Sequence, residues 1–255
     1  MQALMRGVPD SFANALAAAP PPVPIDVALA RTQHAAYGRA LVECGVTVTV
    51  LPADEDYPDC VFVEDTAVIA GGVALITRPG APSRRGETAA VAVALAARVH
   101  ITEPATLDGG DCMVVGRTIY VGRSARTTAA GIAQLAAVFE PRGFRVVAVE
   151  LPAGVLHLKC VCSPLADDRV LLARDSLPAA LFPAVVWVPA SETYAANAVA
   201  IGTRVIVAAE FPHTRDALEA AGFTTLAVPT SEVRKADGSL TCQSIVLPSS
   251  IVFPL

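Results

Sequence analysis

Aromatic side chains are scarce in this sequence, 5% of 255 residues, and charged ones make up only 17%, with a formal net charge of -5. So few aromatics argue against the stacking platforms that grip single-stranded nucleic acid, and the acidic balance argues against a phosphate-backbone partner. Low charge with 53% hydrophobic content excludes a disordered chain. It implies a core of small branched residues, since alanine and valine abound. Uninterrupted apolar runs stay well short of the ~18–20 residues that cross a bilayer. The opening residues also lack the basic region and long apolar stretch of a secretory signal, and the apolar segment 13–24 (ANALAAAPPPVP) holds Asn14 and is rich in proline. A cytoplasmic protein that engages neither membrane nor nucleic acid is expected. The six cysteines, Cys44, Cys60, Cys112, Cys160, Cys162 and Cys242, read as free thiols, most of them inert, because a chain of this size needs no disulfide framework. Cys160 and Cys162 lack a second pair at zinc-site spacing, so no structural metal is expected.

What the sequence does have is a repeat. Residues 61–77 (VFVEDTAVIAGGVALIT) read as two apolar strands around Gly71 and Gly72, a hairpin signal, followed by an Ala/Val-rich helix at 88–97. The unit recurs at 110–122 with a helix at 126–139 and a strand at 144–151. Further copies begin at 156–173 and at 196–209, the latter followed by a helix at 213–221 and a strand at 224–229. A partial fifth copy, Leu240 to Leu247, is expected to pair with the strand Val46 to Leu51 and close a ring. Taking Glu64, Gly110, His157, Asn197 and Cys242 as equivalent points gives separations of 46, 47, 40 and 45 residues. A period of ~20–50 residues signals a propeller-like array rather than two unrelated domains. The expectation is one α/β domain over residues 1–255, with five hairpin-plus-helix modules around a pseudo-fivefold axis.

The approaches to these hairpins carry Glu64 and Asp65, Asp108 and Asp111, His157, Asn197 and Cys242. In a closed ring they converge. Cys242 follows the turn Asp237-Gly238, and alternation in a strand starting at LHLK would point His157 away from Leu156 and Leu158. A thiol and a histidine alone suggest acyl transfer. The surplus carboxylates suggest instead a cationic planar substrate, because a guanidinium presents N–H donors in a fork that carboxylates match. Thiolate attack on its central carbon, with His157 protonating the departing amine and then activating water, would release a ureido product. A binding module for arginine-like ligands would need no nucleophile.

The strings DCVFVEDTAVI (59–69), ITRPGAPSRRGE (76–87), LDGGD (107–111), VGRSARTTAAG (121–131), VLHLK (155–159), YAANAV (194–199) and DGSLTCQS (237–244) together resemble the dimethylarginine dimethylaminohydrolase family, in order along almost the whole chain. That family has the five-bladed α/β propeller of the pentein, or guanidino-group-modifying, superfamily. The resemblance implies hydrolysis of N-omega-methylated arginine to citrulline and dimethylamine or methylamine, through a covalent thiouronium and without a cofactor. An arginine deiminase releasing ammonia uses the same tools, and a non-catalytic arginine-like ligand binder is the reading of another class.

Carried over residue by residue, the resemblance makes Cys242 the nucleophile, His157 the general acid and base, and Asp108 the carboxylate that orients His157 or the guanidinium. It puts Asp65, with Glu64 nearby, on the guanidinium side and Asp59 on the α-ammonium, while Arg84 and Arg126 clamp the α-carboxylate. Leu16, in an active-site lid over residues 9–24, and Ala236 supply backbone carbonyls to the substrate. Some bacterial relatives carry Glu where this chain has Asp108, a carboxylate one methylene shorter. The substrate is a small molecule, a homodimer is left open, and zinc is expected as an inhibitor that a Cys–His site traps with its soft ligands.

Overall fold

Gly71 and Gly72 both adopt left-handed backbone, φ 54° and 74°, and between them they reverse the chain as the sequence reading expects. A computed structural model of the protein describes residues 1–247, so the last eight positions of the expected domain lie outside the described residues. In chain order the first elements are strand β1 (Gln2–Arg6), helix α1 (Val27–Glu43) and strand β2 (Thr47–Leu51). Helix α1 starts where the Asp26 side chain accepts the Leu29 N–H. Next come β3 (Ala67–Ala70), β4 (Val73–Ile76), α2 (Thr88–Ala94) and β5 (Val99–His100). The second module is β6 (Cys112–Val115), β7 (Thr118–Arg123), α3 (Ala129–Phe139) and β8 (Arg145–Glu150). Then follow β9 (Cys162–Ala166), β10 (Arg169–Ala173) and β11 (Val185–Val188), and β12 (Val199–Ile201), β13 (Arg204–Ala208), α4 (Pro212–Ala220) and β14 (Thr224–Val228). The short helix α5 (Ser231–Arg234) leads to β15 (Ile245–Leu247).

These strands form five three-stranded sheets, ordered β3-β4-β5, β6-β7-β8, β9-β10-β11, β12-β13-β14 and β15-β1-β2. In each, an antiparallel pair is followed by a crossover to a third, parallel strand, so the pseudo-fivefold α/β architecture is present. Apolar clusters bridge neighbouring modules. Val68 and Leu75 of the first hairpin, for example, pack with Ile119 and with Leu135 and Phe139 of α3. Among the described residues no helix is long and apolar enough to cross a membrane.

Three expectations need correction. The strand at Val46–Leu51 does not meet the last one directly: β1 lies between them, antiparallel to β15 and parallel to β2. Residues 3–6 of β1 are all buried, and a strand covered on both faces shows no alternation to read. The third module has no α-helix, because Pro178 and Pro183 confine its crossover to a single 3-10 turn at Ala179–Leu181. His157 does not open a strand. It is an extended residue before a 3-10 turn, Leu158–Cys160.

That last correction is general. A 3-10 turn precedes the innermost strand of every sheet, at Val63–Thr66, Gly109–Asp111, Leu158–Cys160, Ala190–Ala196 and Thr241–Gln243. These turns, rather than the strands, carry the polar residues toward the axis.

Candidate active site

Two cavities lie on either side of this ring of turns. An axial cavity of about 260 Å³ runs between the innermost strands of all five sheets, touching Val68, Val114, Pro164, Ala200 and Val246. The other is a cleft of about 30 Å³, and the two share no lining residue. Eight of the ten predicted site residues line the cleft: Leu16, Asp59, Asp65, Arg84, Arg126, His157, Ala236 and Cys242. Asp108, fully buried, stands behind His157. Glu64 does not reach the cleft; it lines the axial cavity, because neighbouring side chains in the tight turn Val63–Thr66 diverge.

His157 sits between two buried carboxylates. Its Nε2 lies 3.0 Å from Asp108 Oδ2, and its Nδ1 lies 3.9 Å from Asp65 Oδ1. The backbone N–H of Gly80 donates to the other Asp108 oxygen at 2.8 Å. Asp65 is equally committed, accepting from Gly110 N at 2.9 Å and pairing with Arg84 Nη1 at 2.6 Å. Gly110 has to be glycine, since a Cβ there would sit 2.7 Å from both Asp65 Oδ1 and His157 Nδ1.

The charges follow from this packing. Burial works against an imidazolium, but Asp65 and the bond to Asp108 outweigh it and raise the pKa of His157 to about 9. Burial likewise works against the Asp65 carboxylate, and the charges of His157 and Arg84 overcome it, holding Asp65 at about 2. At Cys242, burial first, then the charges of Glu64 and Asp65, outweigh a backbone hydrogen bond with Ser239 and push the thiol well above the usual range. The free site therefore pairs a neutral thiol with a cationic histidine at neutral pH.

Arg84 is almost saturated. Its Nε and Nη2 donate to Glu87, Nη1 to Asp65, and Nη2 also to the Phe62 carbonyl at 3.1 Å. Arg126 is freer, its side chain 23% exposed and 4.0 Å from Asp108. Over the cleft lies a segment whose backbone is tied down by acids: Leu16 N donates to Asp59 at 3.0 Å and Ala18 N to Asp237 at 2.6 Å. With that segment down, about 30 Å³ holds a water or two and no amino acid. Burial raises the Asp59 pKa in this state, although Arg84 and the Leu16 N–H oppose the rise.

Two residues that build this site were given no role by the sequence: Asp111, placed on the ring only as a converging acid, and Glu87. Asp111, fully buried, accepts from Ser124 and Thr127 at 2.6 Å each and from Leu158 N at 3.0 Å, so it fixes the residue after His157 and the loop that carries Arg126. The second acid of DGGD was the available signal. Glu87, three residues after Arg84, is its buried partner. Among the described residues, Asp65, Asp108 and His157 are the group whose ligand atoms lie close enough, within 4.8 Å of one another, to hold a metal ion. His157 would first have to give up its proton. All six cysteines are free.

Known proteins are similar to this chain over most of its length. The family described as "N,N dimethylarginine dimethylhydrolase, eukaryotic" matches residues 21–186. A dimethylarginine dimethylaminohydrolase of Pseudomonas aeruginosa is 41% identical over 227 residues, covering 86% of this chain and 89% of the relative. One of Streptomyces coelicolor is 46% identical over 231 residues, covering 88% of each. A solved structure of the Pseudomonas aeruginosa enzyme, a cysteine-to-serine variant complexed with citrulline, superposes with a TM-score of 0.90 at 38% identity, covering 96% of this chain and 98% of that one.

Proposed function

The chain belongs to the dimethylarginine dimethylaminohydrolase family, and from that premise we infer that it hydrolyses N-omega-methylated arginine to citrulline, binding arginine-like small molecules in the cleft. The observation that carries the reading is that one thiol and one cationic histidine line the same cleft, which also offers two buried acids and two arginines. Asp65 faces the substrate guanidinium, Asp59 and the Leu16 and Ala236 carbonyls its α-ammonium, and Arg84 and Arg126 its α-carboxylate, Arg126 being the less committed donor.

In this mechanism Cys242 releases its proton to solvent as the cationic guanidinium arrives, because the added charge beside the sulfur offsets those of Glu64 and Asp65. The thiolate forms a bond to the guanidinium carbon. The C–N bond to the methylated nitrogen then breaks as His157 delivers its proton, and dimethylamine or methylamine leaves. Neutral His157 takes a proton from water and so returns to its cationic form, hydroxide adds to the thiouronium carbon, and the C–S bond breaks as the hydroxyl proton passes to the departing sulfur, giving citrulline and the resting thiol. Asp108 holds the imidazole in place throughout. The segment over residues 9–24 acts as a lid that lifts to admit substrate, and zinc inhibits by engaging Cys242 and His157.

The test is to incubate the protein separately with asymmetric dimethylarginine, monomethylarginine and arginine and to identify the amine. Citrulline with dimethylamine is expected. Citrulline from arginine alone, with ammonia, would make the protein a deiminase, and no product from any of the three would leave a binder.

The resting charges give a second expectation. A thiolate absorbance titration of the free protein, with Cys242→Ser as the blank, should show no Cys242 thiolate below pH 9. Raising the pH removes protons, so a thiol held high by its acidic surroundings ionises late. Thiolate already present at pH 7 would mean an ion-paired site and would contradict activation by substrate.

A further inference from the structure

At three of the axial turns, nearby residues divide between the two cavities. Asp65, His157 and Cys242 line the cleft, whereas Glu64, Lys159 and Thr241 line the axial cavity. The second set is one bonded cluster. Lys159 Nζ donates to Glu64 Oε1 at 2.5 Å, and Thr241 Oγ1 donates to Glu64 Oε2 at 2.7 Å. Asn197 holds the other side: its Nδ2 donates to Thr241 Oγ1 at 3.0 Å and to the Lys159 carbonyl at 2.9 Å, and its Oδ1 accepts from Thr241 N at 2.9 Å. The hydroxyl of Thr241 thus gives its proton to one module and accepts a bond from another.

The nucleophile's turn has little backbone support of its own. It spans only Thr241–Gln243, and the backbone bonds that close it are long, 3.2 Å from Gln243 N to Leu240 O and 3.3 Å from Ser244 N to Thr241 O. On the flank after Cys242, His34 Nδ1 meets Gln243 Oε1 at 2.9 Å. On the flank before it, Thr241 and its cluster are the support. The ion pair behind Thr241 is enclosed, with side-chain exposures of 12% for Lys159 and 13% for Glu64. A buried polar network whose members all have partners is rigid.

We propose that Thr241, held by Glu64, Lys159 and Asn197, is a positioning residue that sets where Cys242 stands in the cleft, and that Glu64 acts from behind the nucleophile and not on the substrate. The proposal rests on the hydrolase reading above. A thiolate attacks only from a near-contact, aligned position, and a displacement of about 1 Å costs on the order of 10²-fold in rate.

The experiment compares Thr241→Val, which keeps the shape and removes the hydroxyl, with Thr241→Ser, which keeps the hydroxyl. For each, kcat and KM are measured with asymmetric dimethylarginine, together with the rate at which chloroacetamidine alkylates Cys242, read by mass spectrometry. Thr241→Val should lower kcat and the alkylation rate about 10- to 100-fold with KM little changed, and Thr241→Ser should restore both. Unchanged rates in Thr241→Val, or an equal loss in Thr241→Ser, would overturn the proposal. Alkylation needs only the thiol and an amidine. Slowed alkylation in Thr241→Val alongside a parent protein inactive on methylarginine would therefore uphold the positioning role while defeating the substrate assignment. If Thr241→Val does not fold, the double variant Glu64→Leu/Lys159→Met, which replaces the ion pair by apolar groups of similar volume, takes its place. Alkylation at the parent rate in that variant would equally overturn the proposal.

Discussion

Cys242→Ser should abolish citrulline formation, lowering turnover of dimethylarginine by more than about 10⁴-fold, while citrulline binding is retained. The two atoms occupy nearly the same place, so the lid contacts, Asp65 and the arginines stay as they are. What changes is the acidity of the attacking group. The cleft already resists ionisation of a thiol, through burial and the charges of Glu64 and Asp65. An arriving guanidinium can tip a thiol that lies a few units from ionisation, and it cannot tip an alcohol that lies far beyond it. Single-turnover assays and calorimetric titration with citrulline separate the two effects. Residual turnover within about tenfold of the parent would mean that another group attacks, with half-buried Cys160 the first to replace.

His157→Gly should lower turnover of methylarginine by about 10²–10⁴-fold, the ordinary worth of a positioned acid and base, and it should also stop the reaction at a recognisable stage. An alkylamine cannot leave without a proton. A thiolate can, so with S-methylthiocitrulline the variant still forms the Cys242 thiouronium and expels methanethiol. No base then remains to activate water, and the adduct persists as a mass increase on the intact protein. Residue 157 is extended, φ -138° and ψ 158°, a conformation glycine adopts without strain. The change leaves Asp65 and Asp108 without the cation between them, so the melting temperature should fall as well, and imidazole added to the buffer should recover part of the rate. Full activity with no adduct would remove His157 from the mechanism.

The repeat made Asp65, Asp108, His157 and Cys242 legible as one cluster, whereas Leu16, Asp59, Arg84, Arg126 and Ala236 came only with the family resemblance. Once Glu64, Gly110, His157, Asn197 and Cys242 are set at intervals of 40 to 47 residues, a ring brings them together whatever the details of each module. Which way each side chain points was not legible. Glu64 and Asp65 are adjacent in the string FVED, yet one belongs to the axial cavity and the other to the cleft, since the divergence arises in a 3-10 turn that leaves no periodic trace. Arg84 was read as a clamp, and its near saturation by Asp65 and Glu87 depends on a pair 19 residues apart that no local pattern records. The Thr241–Glu64 bond spans 177 residues. β1 escaped notice for the opposite reason: its apolar run is too uniform to show a face.

That strand has a consequence for how the protein comes into being. β1 lies between β2, made soon after it, and β15, made near the end of the described chain. On a ribosome, the modules between them can assemble in turn. The blade that holds the nucleophile stays open-edged until the stretch from Ser239 to Leu247 has emerged. Chemistry is thereby tied to the emergence of this stretch: a chain stopped short of it carries Asp65, Asp108 and His157 and still lacks Cys242.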